Sequence, residues 1–248
     1  MTVYQPGWRK LADLPNRLAR RWRRRGARDA IGWSCHQAAW RLREWRLGIN
    51  TRERAYGLET DDEGERHCYE PMDYKCLDIL LDYFQSQNSG ALLDYGCGMG
   101  RVVVQAALRP FSRVEGVEYS EPLAKIARRH LALTRPRWRT ERANIKIADA
   151  TSYALRDDVQ NVVLFNSFTG HVLAKTLEQV RQSALRSPRE LLIAYMIPRR
   201  DANALADHSW LVEVAQLPTA YWDHVRCFIY RCELDSIQTS TADTVSLA

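Results

Sequence analysis

Three carboxylates and three glycines fall where apolar runs give way to helical patterns. The run Asp94-Tyr95-Gly96-Cys97-Gly98-Met99-Gly100-Arg101 follows the apolar Ala91-Leu92-Leu93 and opens a helical stretch. Alternate glycines let the backbone turn tightly and approach a ligand, and the N-terminus of the next helix offers unpaired N–H groups to negative charge. Dinucleotide sites share such a turn, but their GxGxxG pattern needs a small residue at position 101, where this chain has Arg101. Asp94, two positions before the first glycine, suits the ammonium of a zwitterionic amino acid better than a pyrophosphate. Glu118 stands 22 positions after Gly96, where α/β nucleoside sites place an acid for ribose hydroxyls. Asp149-Ala150 closes the next apolar run, and an acid there can accept from an adenine amino group. Any one of these acids alone reads equally well as a surface charge. Together they lie at three successive strand ends, along the carboxyl edge where open α/β sheets bind ligands.

Two further groups belong to the same edge. Asn166 and Phe168 follow the fourth apolar run, one able to orient an amine through its carbonyl and the other to stack on a planar or cationic group. A turn-capping Asn and a core Phe are the plainer reading of that pair. His171 is the nearest candidate base, though a lone His after a turn is more often incidental. Tyr69-Glu70-Pro71 precedes the first strand and reads on its own as a helix boundary with Pro near the first turn.

Such residues need a parallel sheet to bring them together, and the periodicity supplies one. Strand-like runs occur at Ala91 to Tyr95, Arg113 to Tyr119, Ile145 to Ala148, Asn161 to Phe165 and Leu191 to Ile197. Helical stretches occur at Asp73 to Gln85, Arg101 to Leu108, Pro122 to Thr134 and Leu173 to Ala184, with a short one near Tyr153. Regular strand–helix alternation predicts an α/β fold, doubly wound, with helices on both faces of a mainly parallel sheet. Beyond Pro198 the pattern predicts a helix around Asp201 to Asp207 and two strands, Leu211 to Gln216 and Val225 to Arg231, able to pair as an antiparallel edge. That makes seven strands, spread over residues 67–235, followed by a polar tail at 236–248 read as disordered.

The net charge of +6 is concentrated at the front of the chain. Residues 1–56 hold 14 basic against 4 acidic residues, so the remainder is slightly acidic at −4. Leu11, Leu14, Leu18 and Trp22 fall at helical spacing among arginines, and a second helix is expected over Ala38 to Leu47. Residues 1–66 thus read as a basic, Trp-rich helical extension and connector. Either its aromatics pack on the domain while its arginines are solvated, or the Arg-rich face meets an acidic partner, nucleic acid or anionic lipid. No apolar run approaches the roughly 20 residues that span a bilayer, and arginines interrupt every candidate signal-peptide core. Six cysteines without a CxxC pair fit a reducing cytoplasm, and metal-ligand spacing is missing, so no metal is expected.

On Asp94-x-Gly96-x-Gly98-x-Gly100, Glu118 and Asp149, the chain resembles class I S-adenosylmethionine (SAM)-dependent methyltransferases over about Tyr69 to Pro198. Gly116-Val117-Glu118-Tyr119-Ser120 and Leu164-Phe165-Asn166-Ser167-Phe168 are similar to a bacterial subgroup of poorly defined substrate, in which Asn-Pro-Phe is expected after the fourth strand and Ser167 here replaces the proline. The resemblance implies Asp94 at the methionine amino group and the Gly96–Gly100 backbone, Cys97 included, around the methionine moiety. It further implies Glu118 on the ribose diol with Tyr119 beside it, Asp149 and Ala150 at the adenine, and Tyr69 over the methionine end. The expected activity is methyl transfer to a nitrogen, less readily an oxygen, of an unidentified acceptor. A nucleotide-dependent dehydrogenase and an adaptor for RNA or membrane surfaces with an inactive core are the competing readings.

Overall fold

A computed structural model describes residues 14–52, 67, 69–198, 204–219 and 225–234. Among these, helices α1 (Leu14–Arg25), α2 (Ala27–Leu47) and α3 (Tyr74–Gln87) precede strand β1 (Ala91–Tyr95). Then come α4 (Arg101–Ala107), β2 (Val114–Glu118), α5 (Glu121–Thr134), a 3-10 turn (Arg135–Arg137), β3 (Ala143–Ile147), β4 (Val159–Phe165), α6 (Gly170–Arg186), β5 (Leu192–Pro198), β6 (Leu211–Leu217) and β7 (Val225–Cys232).

The seven strands form one sheet in the order β3-β2-β1-β4-β5-β7-β6. All pairings from β3 to β5 are parallel, while β7 runs antiparallel to both β5 and β6. The C-terminal strands therefore pair as expected, with β7 inserted between β5 and the edge strand β6. The chain winds outward from β1 to β3, returns to the other side of β1 as β4, and winds outward again. That reversal opens a crevice at the carboxyl ends of β1 and β4, where a doubly wound sheet receives ligands.

The central strands are buried, the polar residues of β2 included: Glu115 and Glu118 are 3% and 8% exposed. Every residue of β1 and β2 is buried, and side chains alternate between two cores, Leu92 on one face and Leu93 on the other. The first core gathers α2 through α5, including Trp40, Leu77, Phe84, Val103 and Ala127. The second lies under α6, with Leu155, Phe168, Leu177 and Trp210. Cys227 and Cys232, five positions apart on β7, pack against opposite cores; among the described residues no group of three His, Cys, Asp or Glu gathers as a metal site.

Several boundaries differ from the expected ones, each for a local reason. The second arm helix is 21 residues long and starts at Ala27 rather than Ala38. Gly32 and Ser34 lower its intrinsic propensity, and burial of Ala30 and Trp33 overrides that deficit. The helix expected near Tyr153 is a turn at Ala150 to Ser152, and the Tyr153 ring instead packs edge-on against Tyr95, 6.3 Å between centroids. Residues 204–207 form turns, and the rest of the helix expected there, like Leu11, most of the connector and the tail, lies outside the described residues. Of the arm's tryptophans, Trp33 and Trp40 are buried, whereas Trp22 and Trp45 are exposed, the latter by 77%. No helix among the described residues is long and apolar enough to cross a membrane.

Candidate active site

The crevice is a cleft of about 960 Å³, its open mouth included, at the carboxyl edge of β1, β2 and β4. It is lined by Asp94, Gly96, Cys97 and Gly98 from the first turn, Glu118 and Tyr119 from the second, Asp149 and Ala150 from the third, Asn166 and Phe168 from the fourth, and by Tyr69. One sequence candidate stands apart. Gly100 does not line the cleft; it takes φ +80° as the residue before α4, and a Cβ there would lie 3.0 Å from the Ala127 Cβ of α5. Its lack of a side chain serves the turn and the contact between helices.

Gly98 shapes the cleft itself. It holds φ +53°, and an added Cβ would fall 2.0 Å from the Tyr69 ring. Gly98→Ala therefore combines a left-handed alanine with a displaced aromatic, a cost of about 1–3 kcal/mol. The melting temperature of Gly98→Ala should fall by about 2–12 °C, and binding of S-adenosylhomocysteine should weaken with it; an alanine variant that melts and binds like wild type would contradict this packing.

The three acids differ in how much of their hydrogen-bonding capacity the protein uses. The Glu118 carboxylate accepts from the Gly98 N–H (2.7 Å) and the Ser120 N–H (2.8 Å), tying the second strand's end to the glycine turn. Burial raises its pKa, and backbone N–H groups of Ser120, Gly98 and Tyr119 pull it back. A carboxylate accepts about four bonds, so lone pairs remain for a diol. Asp149 accepts from the N–H and hydroxyl of Thr151, 2.9 and 2.8 Å, a side-chain turn that presents it at the third strand's end. Asp94 is 2% exposed and makes no hydrogen bond to a described residue. Burial first, and then the Glu118 charge, push its pKa well up. A buried carboxylate in that condition lacks the cation or donors that would offset its desolvation, and the cleft is where they would come from. Burial likewise raises the Cys97 thiol, with Asp94 and Glu118 adding to the shift; Cys97 in the cleft wall is therefore a protonated apolar contact.

His67 and residues 69–72 form a strap along the cleft wall. The His67 N–H donates to the Ser167 carbonyl at 3.0 Å, and its ring Nδ1 lies 3.1 Å from the Asn166 carbonyl oxygen and 2.9 Å from Asn166 Oδ1. Asn166, with φ +45°, is the one described non-glycine residue in the left-handed region, a conformation Asn tolerates better than most. Ser167, where a proline was expected, donates from Oγ to the Tyr95 carbonyl at 2.8 Å, bridging the ends of β1 and β4. Phe168 is buried in the second core and also faces the cleft, so both of its readings apply at once. His171 is exposed and lies outside the lining.

Behind the glycine turn sits a group that the sequence does not announce. Arg101, 2% exposed, pairs with Glu44 of α2 (Nη2 to Oε1, 3.1 Å), itself 1% exposed. The Arg101 Nε donates to Thr51 Oγ1 at 2.7 Å, Nη1 donates to the Met72 carbonyl, and the guanidinium stacks over Trp40 and Tyr74, 4.6 and 4.4 Å from the ring centroids. Thr51 donates its own hydroxyl to Glu44, and its carbonyl accepts from the Tyr69 hydroxyl at 2.9 Å. Helix α2, the strap and the glycine turn thus share one buried polar network. His67, Glu44 and Thr51 were absent from the sequence candidates, and Arg101 figured there only as a residue too large for a dinucleotide turn.

Residues 92–189 match the family described as a methyltransferase domain. That segment is similar to methyltransferase domains, and the seven-stranded sheet around it has the class I methyltransferase fold. The fold is similar to that of solved structures of low identity: the Escherichia coli protein yhhF, assigned as a putative methyltransferase, aligns with a TM-score of 0.54 at 14% identity over 65% of this chain and 88% of its own. The magnesium protoporphyrin IX methyltransferase of Synechocystis PCC 6803, crystallised with bound SAM, aligns at 0.50 and 14% identity over 64% of this chain and 79% of its own. The ribosomal protein L11 methylase of Lactobacillus delbrueckii subsp. bulgaricus aligns at 0.50 and 11% identity over 65% and 78%. No curated protein matches. The residues of the cleft fit SAM: Asp94 is a buried carboxylate that bonds to no described residue, beside a turn whose backbone a side chain at Gly98 would block.

Proposed function

We propose that the chain transfers the methyl group of SAM to a nitrogen, less readily an oxygen, of an acceptor bound at the Asn166–Phe168 end of the cleft. The observation that carries this reading is the buried Asp94 carboxylate beside the glycine turn, bonded to no described residue, in one cleft with Glu118 and Asp149. Asp94 holds the methionine ammonium, the backbone from Gly96 to Gly98 with Cys97 and Tyr69 encloses the methionine chain, Glu118 and Tyr119 hold the ribose, and Asp149 and Ala150 hold the adenine. The cofactor supplies a methyl group on a sulfonium, open to in-line displacement. The chain's part is to align the acceptor and exclude water. Asn166 and Phe168 frame the acceptor, one with a carbonyl and the other with an aromatic face.

Calorimetry tests the assignment: SAM and S-adenosylhomocysteine should bind and a nicotinamide dinucleotide should not, whereas the reverse would return the dehydrogenase reading. The basic arm enters as the surface that meets an acidic partner, nucleic acid or anionic lipid. Arg23, Arg24 and Arg46 are exposed alongside Trp22 and Trp45, and interleaved cations and aromatics favour an anionic, stackable partner. Labelled methyl incorporated into fractionated cell extract, compared at low and high salt, identifies the acceptor class and tells whether the arm recruits it.

A further inference from the structure

We propose that His67 is the general base that takes the proton of the methyl acceptor, with Asn166 fixing its tautomer; this rests on the methyltransferase reading above. The ring Nδ1 sits within hydrogen-bond distance of two oxygens of Asn166, the main-chain carbonyl at 3.1 Å and Oδ1 at 2.9 Å. A main-chain carbonyl only accepts, so Nδ1 carries the hydrogen whichever way the Asn amide is turned. In the neutral ring Nε2 is then the nitrogen with the lone pair, and no described residue bonds to it.

The ring is held at its backbone as well, through the N–H that donates to Ser167. Asn166 is in turn fixed by its own N–H, which donates to the Met196 carbonyl at 2.8 Å, and by its left-handed backbone at φ +45°. Such strain persists where the surroundings over-determine it. The arrangement is that of a base oriented through one ring nitrogen so that the other is presented to a reacting proton. His67 lines the cleft beside Asn166 and Phe168, whereas His171 is exposed outside it. The Asn166 Oδ1 has two lone pairs, so orienting His67 leaves one for the acceptor.

The step balances without another reagent. The acceptor's X–H bond breaks, its proton going to Nε2 and its electron pair staying on X. That X forms the bond to the methyl carbon while the carbon–sulfur bond breaks with its pair onto sulfur. The resulting imidazolium returns the proton to solvent. A base in this position matters for an acceptor that enters with its proton, such as a hydroxyl or a protonated amine.

His67→Asn is the informative change, because the Asn amide N–H replaces Nδ1–H toward Asn166 while nothing replaces Nε2. In full-length protein labelled with ¹⁵N-histidine, the signals that His67→Asn removes should show a protonated Nδ1 and an unprotonated Nε2. The variant should bind S-adenosylhomocysteine within about threefold of wild type and keep its melting temperature, yet lose about a hundredfold or more in the rate of labelled-methyl incorporation into cell extract. An Nε2–H tautomer, wild-type incorporation by the variant, or a parallel loss of S-adenosylhomocysteine binding would each overturn the proposal. Absence of incorporation by the wild-type protein itself would instead strike the methyltransferase reading, and the base with it.

Discussion

Asp94→Asn is expected to weaken binding of S-adenosylhomocysteine by two orders of magnitude or more while raising the melting temperature of the ligand-free protein. The two effects have one source. Asp94 is 2% exposed and bonds to no described residue, so desolvation disfavours its charge until a ligand cation offsets it, and loss of a buried charge pair at a binding site costs about 2–5 kcal/mol. The pH dependence follows from the raised pKa. An acid whose folded pKa lies above its unfolded value, near 3.9, favours folding below that unfolded value. The contribution is lost as pH rises through the folded pKa. The ligand-free wild type should thus gain stability on mild acidification relative to Asp94→Asn, which has no such term. A ligand ammonium favours the ionised carboxylate, so binding should release a proton below the raised pKa, read as a heat of binding that changes with the buffer's ionisation enthalpy. Wild-type affinity in Asp94→Asn would remove the observation on which the cofactor assignment stands.

Glu44→Ala should produce a large loss of stability, although Glu44 lies about 50 residues before the glycine turn. Removing one partner of a buried ion pair leaves the other charge uncompensated, at about 3–5 kcal/mol, or about 6–20 °C in melting temperature for a chain of this size. Arg101 would keep its bond to Met72 and its two aromatic faces, while Thr51, Arg52 and Tyr74 would each lose a contact with the carboxylate. The double variant Glu44→Met with Arg101→Met removes both charges and should recover much of the loss, as buried pairs replaced by apolar side chains often do. A Glu44→Ala melting temperature within about 2 °C of wild type would show that the pair is not holding α2 to the domain.

The strand ends were legible because they obey short-range rules. An apolar run closed by glycines marks β1 to the residue, and acids placed where apolar runs stop mark Asp94, Glu118 and Asp149 before any contact is known. Ser167 was visible as a departure from Asn-Pro-Phe, but its bond to the Tyr95 carbonyl depends on how β1 and β4 lie together. The N-terminal half of α2 was obscured by Gly32 and Ser34, since nothing local reveals that Trp33 and Ala30 become buried. Glu44 and Arg101 stand 57 positions apart, and a charge reads as solvated until its partner is placed beside it. His67 sits in a polar stretch without periodicity, so its meeting with Asn166, 99 positions away, leaves no trace in its neighbours. What escaped the sequence in these cases is tertiary pairing of polar groups.

The hydrogen bond from the Tyr69 hydroxyl to the Thr51 carbonyl joins the strap along the cleft to the network that seats α2. It gives the seating of α2 and the position of Tyr69 over Gly98 a shared hydrogen bond. Thermodynamic reciprocity then applies: whatever factor a cleft ligand adds to the population of the docked arm, a molecule that favours the docked arm adds to the affinity of that ligand. Deleting the arm removes such a factor along with the arm's own stability, so a truncated chain reports the affinity of a cleft that has lost its brace.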